Sequence, residues 1–380
     1  MLCAIKYFVM TFDVAVVGAG LAGLQTSRML ARRGLRVLLI DRKESLADAV
    51  HTTGIFVRRT WEDFPLPDEQ LGPPIREVFL HSPSSRVVHL ASDRDEFRIG
   101  RMDWIYLSML DACNRAGVHF LPSAWLVACD QGRVTVARRI HTERYEVRFI
   151  VGADGPCSTV ARHLSLDRNS EFLVGLEVVV AARSEAALHC FVDPRMAPGY
   201  IAWVASDGQT AHVGVAGYRH RFDPARSLAI FRSSVAHLAG ENVIERRGGL
   251  IPVNGILRRI ANEQGLLVGD AAGAVSPLTA GGFDGAMRLS SFAAEVVAEY
   301  LQREDPAVLH QYDGARFRAQ FATRRWMRRA LRAASHPFLI EMAFAVMMVP
   351  PVGAIARRVF FGEGSFPDAP PLQSMLSRTV

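Results

Sequence analysis

Short apolar runs alternate with stretches of helical periodicity through the first two-fifths of the chain. Residues 12–17 (FDVAVV) are apolar and end at a glycine cluster, the pattern of a buried parallel strand. A helical stretch runs on to about Arg33, where Gly34 closes it, and Leu35 to Ile40 (LRVLLI) reads as a second strand. Strands ending in Gly and Asp recur twice: one ends near Phe149, with a helix expected from about Ser158, and another covers Leu266 to Val268, with a helix expected near Gly281-Gly282. A further helix is expected over Asp103 to Ala116. Between Glu171 and Val253 the pattern becomes strand-like, and LVGLEVVVAA, HCFVDP, GYIAWVAS and AHVGVAGY read as successive strands. Alternation within GYIAWVAS puts Tyr200 and Ala202 on one face and Ile201 and Trp203 on the other. From Asp305 the chain reads as helical, with Phe317, Phe321, Met327 and Leu331 at helical spacing.

The first turn has the residues of a dinucleotide site. Gly18-Ala19-Gly20-Leu21-Ala22-Gly23 is a GxGxxG between strand and helix. The first glycine permits the turn, the second admits a pyrophosphate, and the third lets helix and strand pack; the helix N-terminus presents free N–H groups. Asp41 closes the second strand, where an acid suits a ribose 2′-hydroxyl and repels a 2′-phosphate. Arg42 beside it joins the candidate set. This segment alone leaves FAD and NAD open.

GAGLAG, GADGPCSTVAR and GDAAGAVSPLTAGG together resemble the three fingerprints of FAD-dependent oxidoreductases of the p-hydroxybenzoate hydroxylase fold. PGYIAWV and HVGVAG are similar to stretches of the geranylgeranyl reductase group. The resemblance implies an α/β chain: a Rossmann-like FAD-binding domain (10–60, 98–165 and 262–304), an inserted, mainly antiparallel β-sheet substrate domain (61–97 and 166–261), and a helical C-terminal region with a tail (305–380). Arg101 would aim at the flavin nucleotide and Asp154 would support the pyrophosphate region, a helix N-cap being its plainer role. Gly269 and Asp270 would meet the ribityl chain, and Pro277, Gly281 and Gly282 would pass beside the ring. Tyr200 and Trp203 would line the substrate cavity, or simply pack the sheet. Group members often carry a cysteine after the second strand; here Val50 to Gly54 has none, and His51 and Thr53 stand in that tract. No catalytic acid is evident, so the flavin itself would carry the chemistry.

The implied reaction is reduction of a C=C bond in a prenyl or other apolar chain. With a single GxGxxG, NAD(P)H or another reductant would bind only transiently. A monooxygenase acting on an apolar substrate, or a flavin-binding protein without turnover, remains open on the same fold.

Composition adds limits. The 380 residues are 49% hydrophobic and 22% charged, with a net charge of +6. Seven arginines and no acid fall between Ala315 and Arg332, a local cluster without a nucleic-acid-binding module, so no nucleic-acid partner is expected. The five cysteines form no CxxC pair and the histidines show no zinc spacing, so no metal is expected. Lys6 interrupts the apolar N-terminus, which reads as a short extension rather than a signal peptide, with Met10 an alternative start. Phe338 to Val349 is apolar but short of the roughly 20 residues a membrane span needs, and it contains Glu341. No transmembrane helix is expected. This segment reads either as peripheral membrane contact beside the arginines or as a buried cap over the substrate cavity. The expected location is cytoplasmic, with or without membrane association.

Overall fold

A strand segment that is apolar on both faces must be covered on both sides, and the Val14 to Val17 end of Thr11–Val17 is buried accordingly. In this computed structural model, which describes residues 10–361 apart from 49, 131, 140, 335, 350–356 and 359, it lies at the centre of a parallel sheet. His141–Gly152 pairs with it on one side and Val37–Ile40 on the other. His119–Leu121 and Gly265–Leu267 extend the sheet in parallel at the two ends. An antiparallel hairpin, Trp125–Asp130 and Arg133–Arg138, hangs on the long strand. The helix Leu21–Arg32 packs against both Met102–Arg115 and Phe283–Arg303. Arg288 reaches Asp63 at 2.7 Å and Asp284 at 3.0 Å, which ties the start of Phe283–Arg303 to the short helix Arg58–Asp63.

The second sheet has seven strands in the order Ala239–Pro252, Phe172–Ala182, Thr210–Gly217, Ala202–Ser206, Ala187–Phe191, Glu77–His81 and Val87–Ala91. All neighbours are antiparallel except Ala187–Phe191 with Glu77–His81. Alternation gives it two unlike faces. Val178, Val180, Ala202, Val204, Val213 and Val215 point to the helix Pro224–Ser234, which buries Leu228 and Phe231 against them. Asp223 caps that helix through the N–H groups of Ala225 and Arg226. The opposite face carries Glu177, His212 and Trp203 and turns toward the first sheet. A small third sheet, Ile55–Val57, Phe97–Gly100 and Leu71–Ile75, joins the two. The expected domain boundary at 97/98 therefore falls inside a strand.

One reading needs correction. Regular strand begins at Ala202, and Tyr200 lies in the preceding turn, so alternation does not govern where Tyr200 points. Two arginines of the cluster, Arg324 and Arg328, are buried. Arg328 stacks on Tyr200 and Tyr218, with ring centroids 5.4 and 5.1 Å away. The C-terminal region is helical over Gly314–Gln320, Ala322–Ala333 and Pro337–Met347. Ile340 and Phe344 pack on the sheet residues Val78, Leu80 and Leu188, while Phe338 and Met342 are 63% and 53% exposed. The segment both covers the sheet and presents an apolar face. The readings of residues 1–9 as an extension and of the C-terminal tail fall outside the described residues.

Candidate functional site

The three small-residue motifs meet in space. A Cβ at Gly18, whose φ is +102°, would lie 2.2 Å from the Ala153 carbonyl oxygen, so the first turn and the second motif touch through backbone. A Cβ at Gly23 would lie 1.8 Å from the Gly18 carbonyl oxygen. The third motif closes in from the far side, where a Cβ at Gly269 would come within 2.8 Å of the Ala22 side chain. Asn169 ties the second and third motifs by donating to the carbonyls of Pro156 at 3.0 Å and Asp270 at 2.8 Å. Its role was not legible in the sequence.

Gly20 differs from its neighbours. A Cβ there would meet no atom within 4 Å, so the loop faces open space at the helix N-terminus. Asp41 braces this loop: Oδ2 accepts from the Ala19 N–H at 2.6 Å and Oδ1 from the Lys43 N–H at 2.8 Å. Each oxygen keeps a further lone pair. Asp154 accepts from Ser158, Thr159 and Val160 and so supports the helix Thr159–His163, whose N-cap is Ser158. Arg42 and Arg101 are exposed, and Arg101 lies over the Trp104 ring at 5.2 Å.

Asp270 is the informative acid. No donor among the described residues reaches its carboxylate, and burial pushes its carboxyl up to about 6. The Tyr106 phenol is pushed up by burial and by Asp270, with Arg247 opposing and Asp41 adding a smaller push. Asp270, Asp41 and Arg247 thus all act electrostatically on this phenol, Arg247 from the seven-stranded sheet. Pro277 is buried, and the Ser276 N–H donates to the Gly281 carbonyl at 2.9 Å, which fixes the turn ahead of Gly282, the residue before the helix Phe283–Arg303. Tyr200 donates to the Thr279 carbonyl at 2.7 Å, joining the second sheet to this turn. An open glycine loop at a helix end, an acid without donors and a turn of small residues fit FAD.

On the second sheet, Leu173, Tyr200, Ala216, Tyr218 and Val253 form an apolar cluster, with Ile201, Trp203, Ile251 and Ala280 packed onto it. Thr53 donates to Glu177, and so does Trp203 Nε1 at 3.0 Å. His51 is exposed and its pKa is lowered, by burial first and then by Lys43 and Arg42. Sequence reasoning missed Glu177, His212 and Arg247. The one available signal was a glutamate inside the apolar run LVGLEVVVAA.

A family model described as FAD dependent oxidoreductase matches residues 13–71, and one described as lycopene cyclase protein matches residues 223–344. Digeranylgeranylglycerophospholipid reductase 1 of Methanococcoides burtonii is 25% identical over 82% of this chain and 80% of its own. Geranylgeranyl diphosphate reductase of Rhodobacter capsulatus is 27% identical over 79% of this chain and 78% of its own. The solved structure of a geranylgeranyl bacteriochlorophyll reductase-like protein from Thermoplasma acidophilum has a TM-score of 0.80 at 20% identity, covering 87% of this chain and 90% of that one.

Gly20 has ordinary dihedrals and open space, so Gly20→Val is expected to leave the flavin-free protein within about 1 kcal/mol of wild-type stability. FAD affinity, read by fluorescence quenching, should fall at least about tenfold; unchanged affinity would remove the pyrophosphate from this loop. Asp270 gives a pH signature. Its raised carboxyl makes the folded, flavin-free chain hold a proton more tightly than the unfolded one, so this stabilisation is present at low pH and lost as pH rises through about 6. Hydroxyl donors from a bound ribityl chain favour the carboxylate. FAD should therefore bind more tightly as pH rises through about 6, by roughly tenfold per unit of carboxyl shift at most. Asp270→Asn should flatten that dependence.

Proposed function

We propose that this chain, an FAD-dependent oxidoreductase of the p-hydroxybenzoate hydroxylase fold, reduces C=C bonds in the prenyl chain of a lipid or prenyl diphosphate. The observation that carries this reading is the similarity to two prenyl-substrate reductases over most of both chains. The fold alone would not select the reaction, because one scaffold hosts many chemistries.

When bound and reduced, FAD supplies a hydride. The remaining tasks belong to the chain. Gly18, Gly20 and the helix they open hold the pyrophosphate, braced by Asp41 and by Asp154 through its loop. Asp270 accepts from the ribityl chain, and Gly281-Gly282 let the backbone approach the ring. Arg101 swings from Trp104 onto the nucleotide. The apolar wall around Tyr200 and Tyr218 receives the prenyl chain and excludes water from it. In this reading the first sheet and its helices form the flavin unit, and the seven-stranded sheet forms the substrate unit. A nicotinamide donor, or another reductant, visits only to reduce the flavin.

Anaerobically reduced protein mixed with geranylgeranyl diphosphate should return oxidised flavin and a product two mass units heavier per reduced double bond. A product that gains oxygen, and only in air, would make the protein a monooxygenase.

A lipid substrate must be reached at a surface. Among the described residues no helix is long and apolar enough to cross a membrane. Trp326 at 68% exposure and Phe338 and Met342 nearby in the chain instead present apolar side chains beside exposed Arg329 and Arg332. In this reading the protein is a cytoplasmic one that docks peripherally there. Flotation with anionic vesicles should recover the protein in the lipid fraction, salt should weaken binding, and Phe338→Asp with Met342→Asp should reduce it about tenfold or more. Equal flotation of that variant would assign the exposed stripe to something other than lipid.

A further inference from the structure

A carboxylate is buried in the middle of the sheet face that turns toward the cofactor cleft. Glu177 is 4% exposed. Donors from three elements hold it: His212 through Nδ1 at 2.9 Å, Trp203 through Nε1 at 3.0 Å, and the Thr53 hydroxyl. Arg247 sits opposite Glu177 on the neighbouring strand and is anchored by the Thr52 carbonyl and Glu245. Burial pushes the Glu177 carboxyl up, but His212, Thr53 and Arg247 outweigh it and hold it below the usual carboxylate range. Glu177 is therefore an anion and can only accept, which puts the hydrogen of the shared bond on His212 Nδ1.

That leaves Nε2 of His212, which no described residue bonds. A carboxylate that fixes one ring nitrogen and stabilises a positive imidazole is the arrangement that makes the other nitrogen a directed proton donor. Its stabilising effect over well-packed apolar residues would be small, so folding alone gives little reason for it. Its place also suits a reaction. On one side, Trp203 packs onto the apolar cluster of Tyr200 and Tyr218, and a Cβ at Gly214 would strike the indole at 2.2 Å. On the other side lies the Thr52-Thr53 loop, which Thr53 joins to Glu177 and Arg247 joins through the Thr52 carbonyl.

We propose that His212, oriented by Glu177, delivers the proton in the alkene reduction, an inference that rests on the prenyl reductase reading. The hydride of reduced flavin forms the C–H bond at one alkene carbon. The π electron pair forms the second C–H bond with the proton on Nε2, and the N–H electrons stay on the ring. The alkene is reduced, the flavin is oxidised, and His212 recovers a proton from water. The charged group facing the pair is Arg247, which is bonded to Glu245.

The test uses FAD-loaded His212→Asn and the isosteric Glu177→Gln, which keeps the question answerable if the first variant does not fold. Dithionite should reduce the flavin in both at the wild-type rate. Anaerobic reoxidation by geranylgeranyl diphosphate should slow about a hundredfold or more in His212→Asn, and by a smaller factor in Glu177→Gln. Without cofactor, nitrogen-15 histidine spectra should show a hydrogen-bonded Nδ1–H on His212 in the wild type, lost in Glu177→Gln. Wild-type reoxidation in His212→Asn would overturn the proposal, as would wild-type reoxidation in Glu177→Gln together with an unbonded Nδ1. Should no prenyl substrate reoxidise the wild-type flavin, the reductase reading fails, and the proton-delivery role with it; a retained Nδ1 bond would then mark the failure as one of substrate rather than of geometry.

Discussion

Backbone-to-backbone contact between Gly18 and Ala153 is the constraint on which the cleft depends. A side chain at Gly18 would strike the Ala153 carbonyl, so the strands Thr11–Val17 and His141–Gly152 can run side by side only because this turn carries none. Once they do, the helix Leu21–Arg32 starts at a fixed point, and its free N–H groups face the space that Gly20 leaves open. Gly269 then seats the third motif on Ala22, and Asn169 bonds the second motif to the third. Three tracts far apart in sequence form one surface through small residues rather than complementary large ones.

The second sheet is fastened to this surface by polar contacts. Tyr200 reaches the Thr279 carbonyl, Thr53 reaches Glu177, and Arg247 reaches the Thr52 carbonyl. Each crosses from one unit to the other, and each sits where an apolar contact would leave a buried polar group unpaired. The valine-rich face of the same sheet needs no such ties, because the helix Pro224–Ser234 covers it. One sheet therefore has a packing face and a chemical face, separated by the alternation of side chains along each strand.

The motifs were legible because their chemistry is local. A glycine turn, an acid at a strand end and a helix start fall within a few residues of one another, and the order of the three tracts can be read from the chain. Glu177 and His212 were not legible as a pair. They lie 35 residues apart and meet only because the strands Phe172–Ala182 and Thr210–Gly217 adopt one register. Tyr200 misled for a related reason: alternation was applied to a residue that a turn holds instead. The burial of Arg328 was not legible either, because charged residues normally stay exposed and only the fold brings two tyrosine rings against it.

By itself the sequence determined the central strand and the glycine turns, since each follows from residue size, periodicity and conformations that only glycine reaches freely; the two-domain plan and FAD came with the resemblance its three motifs carry. The tertiary structure decided which acids are paired. It left Asp270 without a donor among the described residues, engaged Asp41 with the glycine loop, and gave Glu177 three donors. Hydrogen bonding and burial depend on groups brought together across hundreds of residues, and no local pattern encodes them.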